Sequence, residues 1–168
     1  MSEYYHFSEE GQIKEFQPRK SPSFPEEPPY VWAIDRAHSP LYLFPRNCPR
    51  IAFWKNVRTK TEDTQTFNVD TRMVIVIENR WVERLKSGVL YQYTFGGDSF
   101  KCFDRNAGYY TSRSTVVPTS VQRLERLPQL LEKEGIEIRC LPTLKSLRYE
   151  IPSSTLSFSM IRMRNAIE

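Results

Sequence analysis

Apolar and polar positions alternate with two periods along this chain, and the switches between them outline its elements. "YYHF" (Tyr4 to Phe7), "YVWAID" (Tyr30 to Asp35), "RIAFWK" (Arg50 to Lys55) and "VLYQYTF" (Val89 to Phe95) read as β-strands. "RMVIVIE" (Arg72 to Glu78) is almost continuously apolar and β-branched, the pattern of a strand buried on both faces. Gly96-Gly97-Asp98 turns the chain after Phe95, and "SFKCF" (Ser99 to Phe103) reads as the return strand of a hairpin. "GYYTS", "TVVPTSVQRL" and "IEIRC" add shorter strand segments.

Helical spacing appears between them. Ser8 is placed to cap a brief turn with Ile13 and Phe16 inward, and Ser39-Pro40 is a favoured opening pair. "NRWVERLKSG" and "LPQLLEKEG" each end on a glycine. A helical turn is expected near Glu62, and helices over "PTLKSLRYE" and "SSTLSFSMIRMRNA". Five prolines between Pro18 and Pro29 mark an ordered, extended loop. The connections are mostly too short for repeated βαβ crossovers. The expectation is one α+β domain over residues 1–168, with mixed, largely antiparallel sheets and short helices.

Composition narrows the class. The 168 residues are 39% hydrophobic and 13% aromatic, enough to offset the ordering entropy of a proline-rich chain. The net charge of +4 allows an anionic partner, a nucleotide or a phosphorylated small molecule; without a basic run, support for nucleic acid is weak. Three dispersed cysteines and two histidines form no C-x-x-C or other ligand spacing, so no metal is expected, and unpatterned cysteines suit a reducing cytoplasm. No apolar run approaches the ~20 residues of a membrane span. Glycine-rich phosphate loops and the common hydrolase and metalloprotease motifs are absent.

Candidate chemistry gathers near the N-terminus. His6-Phe7-Ser8 follows the first strand, and Val31-Trp32-Ala33-Ile34 is followed by Ser39-Pro40-Leu41-Tyr42. In this order the two blocks resemble the ADP-ribosyltransferase-like superfamily, which includes RNA 2′-phosphotransferases. In that superfamily an H-x-[ST] histidine bonds the NAD ribose, and aromatic rings of the second block stack on nicotinamide. The resemblance covers about the first 55 residues and implies a split β-sandwich, NAD or another nucleotide as ligand, and His6, Ser8, Trp32 (or Tyr30) and Tyr42 as site residues. The superfamily's late catalytic glutamate has no counterpart in Thr115 to Leu124, where the nearest acid is Glu125. Either the chemistry is that of the phosphotransferase branch, or the fold serves as a binding module. An RNA-end binder is the third class.

Arginines supply the remaining candidates. Arg46 and Arg50 flank Cys48 in "FPRNCPR", a rigid loop able to hold a phosphate, with Arg50 the electrostatic catalytic candidate beside His6. Tyr110 and Arg113 in "YYTSRS" are candidate ligand contacts, and Arg162 and Asn165 would share one face of a C-terminal helix. His38 reads as an exposed neighbour of the Ser39 cap. The whole chain also resembles a family of similar-sized bacterial proteins of unknown function.

Overall fold

The computed structural model describes residues 2–168. Ten strands and four short α-helices form two sheets, the mixed α+β class that the periodicity predicts. The chain divides into two compact units, Met1–Ser39 with Val89–Leu124, and Pro40–Gly88 with Glu125–Glu168.

The first unit is a six-stranded, wholly antiparallel sheet. Its strands are β1 (Glu3–Ser8), β2 (Val31–Ile34), β5 (Leu90–Gly96), β6 (Lys101–Asp104), β7 (Tyr109–Ser112) and β8 (Ser120–Leu124), in the order β6-β7-β2-β1-β5-β8. One face packs on Val31, Ala33, Tyr93, Phe95, Phe100 and Val116. The segment after β1 covers that face. It is extended where a helical turn was expected: Ser8 ends the strand, and its hydroxyl accepts from Glu10 N (3.0 Å). Ile13 N donates to the Tyr93 hydroxyl (3.2 Å), and Phe16 exchanges backbone hydrogen bonds with Val116. These long-range partners satisfy the backbone groups that a helix would otherwise have used.

The expected hairpin also resolves differently. Strand β5 has β1 on one edge and β8 on the other, so β6 crosses to the far side of the sheet and pairs with β7. Gly108 shapes the β6–β7 turn at φ +75°, and its carbonyl accepts from Asp35 N (2.9 Å). His38 lies against it, its side chain only 17% exposed and its Nδ1 2.7 Å from Asp35 Oδ1; it is not the exposed cap neighbour expected. A Cβ on Gly108 would sit 2.5 Å from His38 Nδ1. Gly108→Ala is therefore expected to cost about 2 kcal/mol, combining left-handed strain with a clash against an anchored ring, read by thermal denaturation.

The second unit is a four-stranded sheet of β3 (Arg50–Trp54), β4 (Met73–Glu78), β9 (Ile136–Leu141) and β10 (Ser157–Ile161), in the order β10-β3-β4-β9. Only β4–β9 is parallel. The apolar run became β4, an interior strand with all six residues buried. The helices are α1 (Thr61–Thr66), α2 (Val82–Ser87), α3 (Leu127–Lys133) and α4 (Lys145–Glu150). Ile51, Phe53, Val74 and Val76 of the sheet pack with Val69, Leu144, Ile151 and Leu156.

Strand β10 lies where a C-terminal helix was expected. Ser157, Phe158, Ser159 and Met160 alternate small polar with apolar side chains, and the edge of β3 takes them and Ile161 in register. Serine is a poor helix former, so tertiary pairing decides.

Asp63 ties α1 to the chain before β10, accepting from Thr155 N (2.8 Å) and from the Thr155 hydroxyl. These bonds hold its carboxyl below the ordinary aspartate range. A lowered folded pKa adds stability above the unfolded value near 4, and that stability is lost as pH falls through the folded value. Urea midpoints of the wild type should therefore drop more steeply below about pH 4 than those of Asp63→Asn.

Candidate functional site

The residues singled out from sequence fall in both units, and strand register separates several of them. In the first unit Tyr5 pairs with Ile34, and in β1 successive side chains alternate faces. His6 therefore shares a face with Ala33, and Trp32 points to the other. The ring contacts agree. His6 meets Phe16 edge-on at 4.8 Å and lies 6.5 Å from Tyr93 and from Phe95. Trp32 stacks on Phe24 at 5.0 Å and meets Tyr30, Phe103 and Tyr109 edge-on. Tyr110 is on the face of His6 but stacks on Tyr4 at 4.1 Å, and burial pushes its hydroxyl pKa up. Ser8 is buried at the strand end. Arg113 sits 6.0 Å from the Tyr30 ring, on the Trp32 side. His6 and Trp32 thus do not converge on one surface.

In the second unit the candidates do converge, at one end of the four-stranded sheet. Antiparallel pairing sets Arg50, the first residue of β3, opposite Ile77 of β4 and Ile161 of β10. Arg50 is buried. Its Nε donates to Leu41 O and its Nη1 to Cys48 O, both at 2.7 Å, and its guanidinium lies 5.4 Å from the Tyr42 ring and 5.2 Å from Phe44. It clamps the Leu41–Cys48 segment onto the sheet. Cys48 beneath it is fully buried, which pushes its thiol up to about 12 and keeps it protonated.

The end of β4 carries Glu78, wholly buried. Its Oε1 accepts from Arg80 Nε (3.0 Å) and its Oε2 from Ile167 N (2.6 Å). Arg80 also donates to Asn165 O (2.7 Å), and Asn165 Nδ2 donates to Asn47 O (2.8 Å). This chain of bonds straps the turn Met163–Asn165 to the loop holding Arg46. The neighbours of the two bonded asparagines, Arg46 and Arg164, are thereby brought toward Arg162.

Arg162 follows β10 with a left-handed backbone, φ 57°, which breaks the helical face expected for Arg162 and Asn165. Its side chain is half-buried. Burial, then the charges of Arg164 and Arg46, hold its pKa below the usual arginine value, while Tyr42 acts in the other direction. Among the described residues, the guanidinium groups of Arg46, Arg162 and Arg164 have no hydrogen-bond acceptor or carboxylate partner.

The surrounding charge has the same sign. The second unit holds 16 Lys and Arg against 11 Asp and Glu, a net +5, and the first unit holds 8 against 9. Arg164, Arg80 and Glu78 escaped sequence reading because only the meeting of three strand ends places them together.

A family model described as Family of unknown function (DUF6886) matches residues 5–166. The chain belongs to this family. The match takes in every candidate residue from His6 to Arg164. No curated protein and no solved structure matches significantly. The ADP-ribosyltransferase-like resemblance is not among these findings. Among the described residues no helix is long and apolar enough to cross a membrane, and no group of three or more His, Cys, Asp or Glu is placed to hold a metal ion.

Proposed function

We propose that the arginine cluster at the sheet end of the second unit binds the phosphate groups of a nucleotide or another phosphorylated small molecule. The observation that carries this is the gathering of Arg46, Arg162 and Arg164 without a carboxylate. Like charges held together raise the free energy of the empty site, and a multivalent anion relieves that repulsion on binding. Guanidinium groups also match phosphate oxygens bidentately, which a lone lysine cannot do. Tyr42, beside Arg162, offers a ring or hydroxyl for the rest of the ligand.

Within this reading Arg50 is a positioning residue that holds Tyr42 and the Arg46 loop, not a catalytic one. His6, Ser8, Trp32, Tyr110 and Arg113 are not required. The superfamily resemblance supplies NAD and ADP-ribose as first ligands to test. The excess positive charge of the second unit supports a second reading, a phosphorylated RNA end.

Thermal shift separates these readings. Pyrophosphate, ADP, NAD or ADP-ribose should raise the unfolding midpoint, because a ligand of the native state alone adds to its stability. The paired change Arg46→Ala with Arg164→Ala should abolish that rise. A short RNA that stabilises more than ADP, with an effect collapsing at higher salt, would favour the RNA end. No response to any of these ligands contradicts both readings.

A further inference from the structure

The second unit carries another concave feature, of opposite character to the arginine cluster. A hollow of about 410 Å³ lies between α1 and α4, lined by Asp63, Thr66, Phe67, Tyr149, Glu150 and Ser154 among others. A second hollow of about 260 Å³ shares Thr66, Phe67 and Glu150 with the first. Its floor is apolar. Phe53 and Val76 belong to the core of the unit, with Phe67 and Leu147 packed on them.

Among the charged groups around this floor, the acidic ones are Asp63 and Glu150. Glu150, the last residue of α4, has no hydrogen bond or ion pair for its carboxylate among the described residues. Asp63 is held by Thr155, so one more carboxylate stands fixed at the wall. Tyr149 is 75% exposed at the rim. The one guanidinium in the lining, on Arg139, is occupied by Glu137 and by the carbonyls of Phe67 and Asn68. The groove therefore presents an apolar floor, an aromatic rim and two carboxylates on a unit whose net charge is +5.

We propose that this groove docks a basic segment of a partner protein, with a Lys or Arg stem on Phe67 and its charged head between Asp63 and Glu150. A cation over an exposed aromatic ring, with carboxylates at its end, is the chemistry that such a side chain meets. The two hollows share Thr66, Phe67 and Glu150 and the larger opens widely to solvent, which suits an extended chain more than an enclosed small molecule. Leu141, the last residue of β9, lines the second hollow, and among the described residues β9 has a strand neighbour only on its β4 side. An extended segment can pair along such an edge while its side chain enters the groove.

The test is fluorescence anisotropy with a labelled peptide of alternating Lys and Leu, beside its Glu-for-Lys counterpart. A protein of positive net charge should repel the first peptide unless a local acidic site holds it. The expected result is binding of the Lys peptide alone, weakened roughly tenfold or more in Glu150→Lys and measurably in Tyr149→Ala. Both changes lie on the surface, and an unchanged thermal midpoint shows that the fold is intact. Equal affinity in Glu150→Lys, equal affinity for the acidic peptide, or complete displacement by free spermidine would overturn the proposal. Arg46→Ala with Arg164→Ala should leave peptide binding intact, which keeps this outcome separate from that of the phosphate site.

Discussion

Arg50→Ala is expected to destabilise the protein by about 3–5 kcal/mol, which lowers the thermal midpoint by roughly 6–20 °C in a chain of this size. Two terms add. The Leu41 and Cys48 carbonyls lose their buried donors, and each orphaned acceptor costs about 1–3 kcal/mol. The volume under Tyr42 and Phe44 also empties, and relaxation fills a cavity at a buried site only in part. Arg50→Lys should recover only part of the loss, since an ammonium cannot reproduce a planar fork reaching two carbonyls. Calorimetry of the three proteins measures this. A variant of normal stability that has lost only ligand binding would place Arg50 in the ligand site instead of beneath it.

Arg162→Gly is expected to separate binding from folding. Arg162 stands at φ 57°, a conformation that costs a residue with a Cβ about 1 kcal/mol and costs glycine little. Its half-buried guanidinium also lies close to Arg46 and Arg164. Removing the side chain relieves both strains, so the thermal midpoint should hold or rise. Phosphate affinity should fall by roughly tenfold to a hundredfold, the loss of a charge-assisted hydrogen bond worth about 1.5–3 kcal/mol. Arg162→Ala removes the same charge but leaves the left-handed strain, and should bind as poorly while melting lower than the glycine variant. Titration calorimetry with pyrophosphate and denaturation of the same samples give both readouts. Unchanged affinity in Arg162→Gly would remove Arg162 from the site.

Periodicity revealed the elements whose burial is decided locally. The apolar run of β4, the alternation of β1, β2 and β5, and the glycine-ended helices α2 and α3 all appear near their expected places. It failed where a distant partner decides. Phe16 is extended because Val116 meets it, β10 is a strand because β3 has a free edge, and β6 joins β7 because both edges of β5 are occupied.

The candidate site divides in the same way. Arg46 and Tyr42 were legible from a rigid basic loop and from the second sequence block. The pairing of His6 with Trp32 rested on the resemblance of the two sequence blocks to the superfamily, and a period of two sends them to opposite faces. Arg50 reads from sequence as a phosphate-holding, catalytic candidate; only its burial shows that its donors serve the backbone. Arg162 and Arg164 sit in a segment with helical spacing, and their grouping with Arg46 depends on a chain of hydrogen bonds through Glu78, Arg80, Asn165 and Asn47.

A phosphate-bearing ligand is expected to bind where those arginines meet. The most direct measurement is a titration of isotopically labelled protein with ADP, followed by amide and arginine side-chain NMR shifts. The expected shifts are confined to residues 42–48 and 161–166, with the Nε signals of Arg46, Arg162 and Arg164 moving together and saturating. Shifts centred on His6 and Tyr110, or none at those three arginines at saturating ADP, would contradict it.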